Sequence, residues 1–348
     1  MSAAVPHILV IRRRYLGDIV LLGSLLRNLR LHWPAAPLSV LTEPAYAGVL
    51  ALNPDAVQPL LLPAGLAAWP GFLRGLRRAR FTHVLDFDNT EKTAAIARFS
   101  GAAVRVGLHH GGHRLKLRGA YTHVVHDPTE LHETRPITEY YLRALEPLGV
   151  PIATRDVRLE PRPADLAEVR RFIGGESKIQ HQKSNILLVH PGTRSPYRLW
   201  PAEYFAAVCD FAQDELGAQV VLTGGPGDAA ALAAIRRHTR THLLQLPDAL
   251  SIGRFAALAR LASAVLCHDS GPMHVATAVG TRVIALYGSQ NAALFRPLGE
   301  EHVLLQPPLP CTACVAPGQC VPGDSYKNFC VRLIDPAQVK SAVRAALA

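Results

Sequence analysis

The hydrophobic pattern of the chain alternates between short apolar runs and longer segments of helical period. The runs HILVIRR (residues 7–13) and NILLVHPG (185–192) have the length and composition of buried strands. After the first run, Ile19, Leu22 and Leu26 recur at helical spacing. Alternation of such strands and helices predicts an α/β protein whose sheets are parallel.

The alternation occurs in both halves of the chain and stops between them. Residues 174–184, GGESKIQHQKS, are polar and have no period, which predicts a linker or surface loop. We therefore predict two doubly wound, Rossmann-like domains that face one another across a cleft. The expected divisions are a first domain at 1–173, a linker at 174–185, a second domain at 186–334 and a C-terminal helix at 335–348 that packs back on the first domain.

Turn signals bound the other predicted elements. Gly149 and Gly280 follow segments of helical period and are expected to end those helices. The other predicted strands are PLSVLTE, THVLDFD, AVRVGL, AQVVLTGG, THLLQL, SAVLCHD and RVIALYG, and the predicted helices lie at 19–32, 91–101, 137–149, 201–217, 228–237, 251–262 and 272–279.

Composition and charge indicate a globular protein with an anionic partner. Hydrophobic residues make up 49% of the 348 positions and charged residues 18%, which argues against disorder. A formal net charge of +10 favours nucleic acid, a membrane surface or an acidic glycolipid as the partner. Because no zinc-finger, RNA-recognition or long basic motif occurs, nucleic acid is the least favoured of the three.

Localisation follows from the order of apolar and basic residues near the N-terminus. Residues 1–15 place an apolar run before a basic cluster, which is the reverse of a secretory signal. No apolar run has the length of a membrane span. The expected location is therefore the cytoplasm.

The stretch HDSGPMHVATAVGT, residues 268–281, places polar groups where a predicted strand ends and a helix begins. A helix N-terminus offers unpaired N–H groups and a partial positive charge, so a phosphate is the expected ligand. Asp269 would repel a phosphate but accept hydrogen bonds from sugar hydroxyls, which indicates a sugar-phosphate. The alternative is that Asp269 and Ser270 only cap the helix.

Two other strand ends in the second half carry compatible chemistry. HPGTRSPYRLWP offers Gly192 for close backbone approach, the Thr193 and Ser195 hydroxyls and two arginine side chains. LTGGPGD adds a glycine-rich turn and the Asp228 carboxylate, although such a turn also has a purely structural use. Together the three stretches predict a nucleotide-diphosphate site. No GxxxxGK[ST] or GxGxxG motif supports a P-loop or a dinucleotide site.

These stretches carry a family resemblance. LGDIVLLGSLLRNLR, HPGTRSPYRLWPAEYFAAV, VVLTGGPGD and CHDSGPMHVATAVGTRVIALYGS occur in this order along nearly the whole chain and resemble the bacterial heptosyltransferases, glycosyltransferase family 9. The resemblance implies a GT-B fold with an acceptor-binding first domain and a donor-binding second domain. It also implies inverting transfer of a heptose from ADP-heptose to the inner core of lipopolysaccharide, with no catalytic metal or other cofactor.

The resemblance also assigns roles to residues. Asp18 of LGD matches the general base of the family, and its alternative role is a plain helix cap. Arg198 stands where the family usually has a lysine before WP, and it would neutralise the leaving diphosphate. The expected donor-binding residues are Gly17, Thr193, Arg194, Asp228, Asp269, Ser270, Gly271, Met273 and His274, of which Met273 and His274 also suit a buried core position.

The acceptor that the resemblance implies is an anionic glycolipid of the lipid A–Kdo type. The protein is accordingly expected to associate peripherally with the cytoplasmic face of the inner membrane. WPGFLRGLRRARF places Trp69, Phe72 and Leu76 at helical spacing beside arginines, which suits an anionic membrane surface. The same pattern suits a helix that packs its apolar face on a sheet. The candidate acceptor-binding residues are His109, His113, Arg114, Lys116 and Arg118, in a loop that is alternatively a solvated basic turn.

The cysteines fall into two groups. Cys209 and Cys267 lie in apolar surroundings and are expected in the core. The spacing of the others is not that of a standard zinc ribbon, so a structural clip is the first interpretation and a structural zinc site the second. These four are Cys311, Cys314, Cys320 and Cys330.

Three other functions remain open at this point. A related transferase would use another nucleotide-sugar for O-antigen or capsule, with the same fold and base. A nucleotide-sugar epimerase would need no acceptor site, and the basic loops of the first half argue against it. A non-enzymatic protein that binds polyanions would not need Asp18 or the ordered donor motifs.

Overall fold

Short buried strands form the centre of each half of the chain. The computed structural model describes residues 5–174, 185–194, 198–246, 250–288, 290–308 and 329–348. The chain divides into two compact units, Met1–Arg158 and Leu159–Ala348. The predicted linker at 174–185 lies almost wholly outside the described residues.

The first unit is built on a six-stranded parallel sheet with the strand order β3-β2-β1-β4-β5-β6. Ile8 of the central strand lies opposite Leu38 on one side and His83 on the other. Every residue of β1 and β2 is buried, as expected where helices cover both faces. The strands are β1 Ile8–Ile11, β2 Leu38–Thr42, β3 Gln58–Leu61, β4 His83–Asp86, β5 Val104–His110 and β6 His123–Asp127.

Helices connect these strands and begin and end at recognisable signals. The Thr90 hydroxyl accepts a hydrogen bond from the Thr93 N–H at the start of α5, and Gly101 ends that helix with φ +75°. The helices are α1 Leu16–Leu21, α2 Gly23–His32, α3 Pro44–Ala47, α4 Trp69–Arg78, α5 Glu91–Ser100, α6 Thr129–His132 and α7 Ile137–Leu142, with 3-10 segments at Gly48–Leu52, Leu66–Ala68, Arg118–Ala120 and Arg143–Leu148.

The second unit repeats the topology, with the parallel order β12-β11-β10-β7-β8-β9. Numbered within each unit, both sheets have the order 3-2-1-4-5-6 of the Rossmann fold. The strands are β7 Ile186–His190, β8 Gln219–Leu222, β9 Leu244–Gln245, β10 Ala264–His268, β11 Arg282–Leu286 and β12 Val303–Leu305, and the helices are α8 Pro163–Phe172, α9 Ala202–Asp214, α10 Ala229–His238, α11 Ile252–Leu261, α12 Gly271–Ala278, α13 Ala292–Phe295, α14 Phe329–Arg332 and α15 Pro336–Leu347.

The predicted α/β class with two doubly wound parallel sheets is confirmed. The pattern missed β3, β6 and β12, which are outer strands of their sheets. The sequence of β3, QPLL, is not an apolar run, because it begins with Gln58 and Pro59, and the strand is mostly exposed. Outer strands bury less surface than central ones, so their hydrophobic signal is weaker.

Two predicted helices are interrupted in the structure. The helix predicted at 19–32 is two helices, α1 and α2, that meet at Leu22. The helix predicted at 137–149 is α7 followed by a 3-10 segment, Arg143–Leu148, which contains Pro147. Proline removes a backbone donor and prevents a regular α-helix from continuing there.

The unit boundary lies earlier than the expected end of the first domain at residue 173. Helix α8 precedes that position but belongs to the second unit, where it packs against α11. Arg254 of α11 pairs with Glu168 of α8 at 2.6 Å. The C-terminal helix α15 was expected on the first domain, but its buried residues Val339 and Val343 join the core of the second unit.

Helix α4 packs its apolar face on its own sheet, as the second interpretation of its sequence proposed. Leu76 is buried in the core of the first unit, and Trp69, Phe72 and Leu73 pack against that core. Arg77 lies on the exposed side of the helix. No helix among the described residues has the length and apolar composition required to span a membrane.

Gly107 of β5 offers a test of how closely the core of the first unit packs around Tyr121. A β carbon at Gly107 would lie 2.7 Å from the Tyr121 ring, whose hydroxyl donates to Asp86 over 2.7 Å. We expect Gly107→Ala to lower the free energy of unfolding by about 1–3 kcal/mol, because the ring must shift. The control is Gly112→Ala, where a β carbon meets nothing within 4 Å. Equal urea-unfolding free energies for both variants would contradict this packing.

Candidate active site

The sheet of the first unit brings three charged side chains together where its strand order reverses. The chain leaves β1 toward β2 but returns on the other side to form β4. The segments after β1 and β4 therefore diverge, and ligands of open α/β sheets bind at such points. Arg12 follows β1, Asp18 lies in the first turn of α1, and Asp88 follows β4.

Asp18 is held by donors from three parts of the first unit. Its Oδ1 accepts from Arg12 Nη2 at 2.5 Å and from the Tyr141 hydroxyl at 2.8 Å. Its Oδ2 accepts from the Tyr15 N–H at 3.1 Å. The last contact is that of a helix cap, so the capping role and the ligand-facing role are combined in one carboxylate. The Asp18 side chain remains 14% exposed.

The charge state of Asp18 follows from these contacts. Burial alone would raise its pKa. The positive charge of Arg12 and the hydrogen bonds from Tyr15, Tyr141 and Arg12 outweigh burial and lower the pKa below its ordinary value. Asp18 is therefore ionised at neutral pH, as a proton acceptor must be, and it is a weaker base than an ordinary aspartate.

A second carboxylate layer supports the arginines. Asp88 accepts from Arg13 Nε at 2.6 Å and lies 3.5 Å from Arg12 Nη1. Behind it, Asp86 accepts from the Asp88 N–H at 3.0 Å and from the Tyr121 hydroxyl. Burial raises the pKa of Asp86 to about 6, although these hydrogen bonds act in the opposite direction. The chain of contacts fixes Arg12 relative to Asp18.

The second unit has its reversal point between β7 and β10, and two of the three predicted donor motifs lie there. The segment after β7 carries Gly192, Thr193 and Arg194, and the segment after β10 carries Asp269. Thr193 is partly exposed and Arg194 is exposed. Ser195 lies outside the described residues. Strand pairing places β7 beside β10, with His190 opposite Cys267.

Arg198 and Asp269 form an ion pair at this point. Arg198 Nη1 lies 3.2 Å from Asp269 Oδ2, and both side chains are largely buried. In the amide orientation that satisfies both groups, the Gln290 side-chain oxygen also accepts from Arg198 Nη1 at 2.6 Å. Burial lowers the pKa of Arg198, while the Asp269 charge opposes that shift. The pair leaves a cation beside a carboxylate at the start of α12.

The N-terminus of α12 supplies the backbone donors. Pro272 carries no N–H, and the Met273 N–H donates to the Ser270 carbonyl at 3.1 Å. The N–H groups of Ser270 and Gly271 have no acceptor among the described residues. The side chains of Met273 and His274 are buried, so a ligand at this end would meet their backbone rather than their side chains.

Asp228 is placed against the neighbouring glycines. Its Oδ2 accepts from the Gly225 N–H at 2.7 Å, and a β carbon at Gly192 would overlap the same oxygen. Any other residue at 192 would therefore force the Asp228 carboxylate to move. His190, the last residue of β7, is buried. Burial lowers the pKa of its imidazole to about 4, so the ring is neutral at pH 7. Gly17, the remaining predicted donor residue, is buried in α1 of the first unit.

The predicted acceptor loop is held in place by Asn89, a residue that the sequence pattern did not indicate. The Asn89 side-chain amide donates to the Arg114 carbonyl at 3.1 Å and its oxygen accepts from the Lys116 N–H at 2.7 Å. The His109 Nδ1 lies 2.8 Å from the His113 carbonyl. Arg114, Lys116 and Arg118 are exposed. The loop therefore displays its cations from an anchored backbone.

Histidines that the sequence pattern did not single out surround this loop. His109 stacks on His126 with ring centroids 4.5 Å apart, and His110 stacks on His132 at 3.7 Å. Burial, with the neighbouring His132, lowers the pKa of His110 to about 4. His132 comes from a helix after the next strand, so no local sequence signal indicates these pairs.

The cysteine predictions are only partly covered by the structure. Cys209 and Cys267 are fully buried, which confirms their core assignment. Cys311, Cys314 and Cys320 lie outside the described residues. Cys330 is buried in the core of the second unit. Among the residues that the structure describes, no group of three or more His, Cys, Asp or Glu side chains has metal-binding geometry.

Comparisons with known proteins agree on one family. The family model for glycosyltransferase family 9 (heptosyltransferase) matches residues 70–322. Lipopolysaccharide heptosyltransferase 3 of Escherichia coli is 25% identical over 295 residues, which cover 82% of this chain and 84% of the relative. Lipopolysaccharide heptosyltransferase 2 of Escherichia coli K12 is 26% identical over 312 residues, with 84% and 86% covered.

A solved structure gives the fold. The glycosyltransferase family 9 protein from Veillonella parvula superposes with a TM-score of 0.82 at 22% identity, covering 100% of this chain and 98% of that one. At this identity the likeness supports the fold alone. It confirms the predicted GT-B class of two Rossmann-like units.

The contacts of Asp18 predict how its titration depends on Arg12. Arg12→Gln removes the charge that opposes burial, so the pKa of Asp18 should rise. A carboxylate whose pKa is lowered on folding stabilises the folded state at pH values above its pKa in the unfolded chain. The variant should therefore also lose part of this stabilisation at neutral pH. The measurement is a pH titration of the Asp18 carboxyl carbon by NMR.

The matched control is Arg14→Gln, since Arg14 lies 3.7 Å from Glu43 and has no described contact with Asp18. Its Asp18 titration should match that of the wild type. An unchanged Asp18 pKa in Arg12→Gln would show that Arg12 does not set the charge of this carboxylate.

Proposed function

Because the chain belongs to glycosyltransferase family 9, the heptosyltransferase family, we propose that it transfers a heptose from ADP-heptose to the inner core of lipopolysaccharide, with inversion at the anomeric carbon. The observation that carries the proposal is the Arg198–Asp269 pair at the N-terminus of α12. It combines a cation, free backbone donors and a carboxylate at one ligand-binding edge, which suits a sugar joined to a diphosphate.

The donor diphosphate is proposed to bind the second unit. Its oxygens accept hydrogen bonds from the N–H groups of Ser270 and Gly271 and from the Arg198 guanidinium. Asp269 accepts from a sugar hydroxyl, and the part of the Asp228 carboxylate that does not bind Gly225 accepts from the ribose. Thr193, Arg194 and the backbone at Met273 and His274 complete the donor site.

Arg198 is also proposed to assist departure of ADP. As the anomeric C–O bond breaks, its electron pair goes to the diphosphate oxygen, and the guanidinium stabilises the added charge. This assigns to an arginine the role that a metal ion has in other transferases. Arginine can hold two phosphate oxygens at once, in contrast to the lysine usual in this family.

Asp18 is proposed to be the general base. The acceptor hydroxyl oxygen forms the new bond to the anomeric carbon, and its proton passes to a carboxylate oxygen of Asp18. Gly17 precedes Asp18 in α1 and adds no side chain of its own beside it. The hydrogen bonds from Tyr15 and Tyr141 orient the carboxylate, and its lowered pKa keeps it ionised before the reaction.

The acceptor is proposed to be an anionic glycolipid of the lipid A–Kdo type at the cytoplasmic face of the inner membrane. The cations of the anchored loop, Arg114 and Lys116, are exposed and suit its phosphates and acidic sugars. The protein is then peripheral to the membrane. The other residues assigned to this acceptor site are His109, His113 and Arg118.

Calorimetry of donor binding tests the proposal. Wild-type protein should bind ADP-heptose more tightly than UDP-sugars. Arg198→Gln should weaken ADP-heptose binding by about tenfold to a hundredfold, because a charged hydrogen bond to phosphate is lost. Arg198→Lys should retain most of the affinity, since it restores the cation usual in the family.

The control is Arg236→Gln, which removes an exposed arginine of α10 elsewhere in the second unit. Its affinity should equal that of the wild type. Preference for a UDP-sugar would indicate a different donor, and absence of any nucleotide binding would contradict the transferase assignment.

A further inference from the structure

A groove on the first unit contains no residue assigned to the donor site or to the base. It shares one residue, Arg118, with the proposed acceptor site. It has a volume of about 670 Å³ and runs between α4, α5 and the 3-10 segment Arg118–Ala120. Its lining is an alternation of cationic and apolar side chains, formed by Arg77, Ala95, Arg98, Phe99, Leu117 and Arg118.

The charged side chains that line this groove are all cationic. Arg98 is exposed on α5 and has no ion-pair partner among the described residues. The residues that line the groove include three arginines and no carboxylate. Arg114 and Lys116 are exposed in the adjoining loop. A surface of this composition is complementary to a layer of phosphates.

The groove also exposes two large apolar side chains. Phe99 is 44% exposed and Leu117 is 53% exposed. The Arg77 guanidinium lies 5.7 Å from the Phe99 ring centroid and donates to the Phe99 carbonyl at 3.2 Å, so the aromatic ring and the cation are held side by side. Protein surfaces that bind anionic bilayers combine apolar side chains, which enter the interface, with cations that attract the lipid headgroups.

Leu117 is displayed by a constrained backbone. Its φ of +44° lies in the left-handed region, where a leucine is rare. The segment before it is fixed by Asn89, which bonds the Arg114 carbonyl and the Lys116 N–H. The fold therefore keeps an apolar side chain exposed at a position that glycine would occupy with less strain.

We propose that this groove docks the first unit on the surface of a bilayer that contains anionic lipids. Arg77, Arg98 and Arg118 bind headgroup phosphates, and the Phe99 and Leu117 side chains enter the boundary between headgroups and acyl chains. Cations alone are screened by salt, whereas the apolar side chains add a contribution that salt does not remove. The inference deepens the proposed action on a glycolipid and rests on it only for its biological setting.

Sedimentation with vesicles tests the docking. Wild-type protein should bind phosphatidylcholine–phosphatidylglycerol vesicles and not vesicles of phosphatidylcholine alone. Arg98→Gln should weaken binding about fivefold, the effect expected for one arginine near an anionic surface. Leu117→Gly should weaken it to a similar extent and should fold normally, because the left-handed backbone suits glycine.

The control is Arg236→Gln on α10, which removes the same charge from the second unit and should leave vesicle binding unchanged. Transfer to a soluble, delipidated acceptor is measured in parallel for Arg98→Gln and Leu117→Gly. Both should transfer at the wild-type rate, since neither residue is assigned to the donor, base or acceptor sites.

The outcomes separate this inference from the proposed function. Vesicle binding without transfer by the wild type would overturn the function and leave the docking in place. Transfer without vesicle binding, or equal losses for Arg98→Gln and Arg236→Gln, would overturn the docking. Loss of soluble transfer in Leu117→Gly and Arg98→Gln would also overturn it, by making the groove part of the acceptor headgroup site.

Discussion

Parallel strand pairing is the constraint on which both candidate sites depend. A parallel sheet places the carboxyl ends of all its strands at one edge. Because the first strand of each unit lies in the middle of its sheet, the chain segments that follow it and its neighbour, the fourth strand, lead away in opposite directions at that edge. In the first unit these segments follow β1 and β4, and in the second they follow β7 and β10. Two ion pairs lie on these segments or directly after them: Arg12 with Asp18 in the first unit, and Arg198 with Asp269 in the second.

Each of these edges holds a carboxylate against an arginine, but the two pairs differ in what surrounds them. Asp18 is bonded by Arg12, Tyr141 and a backbone N–H, which together keep it ionised. Asp269 faces Arg198 beside the N-terminus of a helix. The first arrangement suits acceptance of a proton, and the second suits an anion that carries hydroxyl groups.

The central strands and the donor motifs could be predicted because their signals are local. β1, β7 and β10 are continuous apolar runs that end in polar clusters. Tyr141 reaches Asp18 across 123 positions, and Gln290 reaches Arg198 through a side-chain contact, so neither had a local signal. Three outer strands, β3, β6 and β12, were missed because they bury less apolar surface than central strands. The helix breaks near Leu22 and Pro147 were missed because apolar period alone does not show where a helix is interrupted.

The central claim is that Asp18 takes the proton of the acceptor hydroxyl during transfer from ADP-heptose. The most direct measurement is the transfer rate of Asp18→Asn, with ADP-heptose affinity measured on the same protein. The control is Asp156→Asn, which changes an exposed aspartate of the first unit and should transfer at the wild-type rate. Asparagine retains an oxygen for the Tyr15 N–H, so the helix start is preserved. A loss in rate of about a hundredfold to ten-thousandfold with unchanged donor affinity is predicted. A rate close to that of the wild type would contradict the claim.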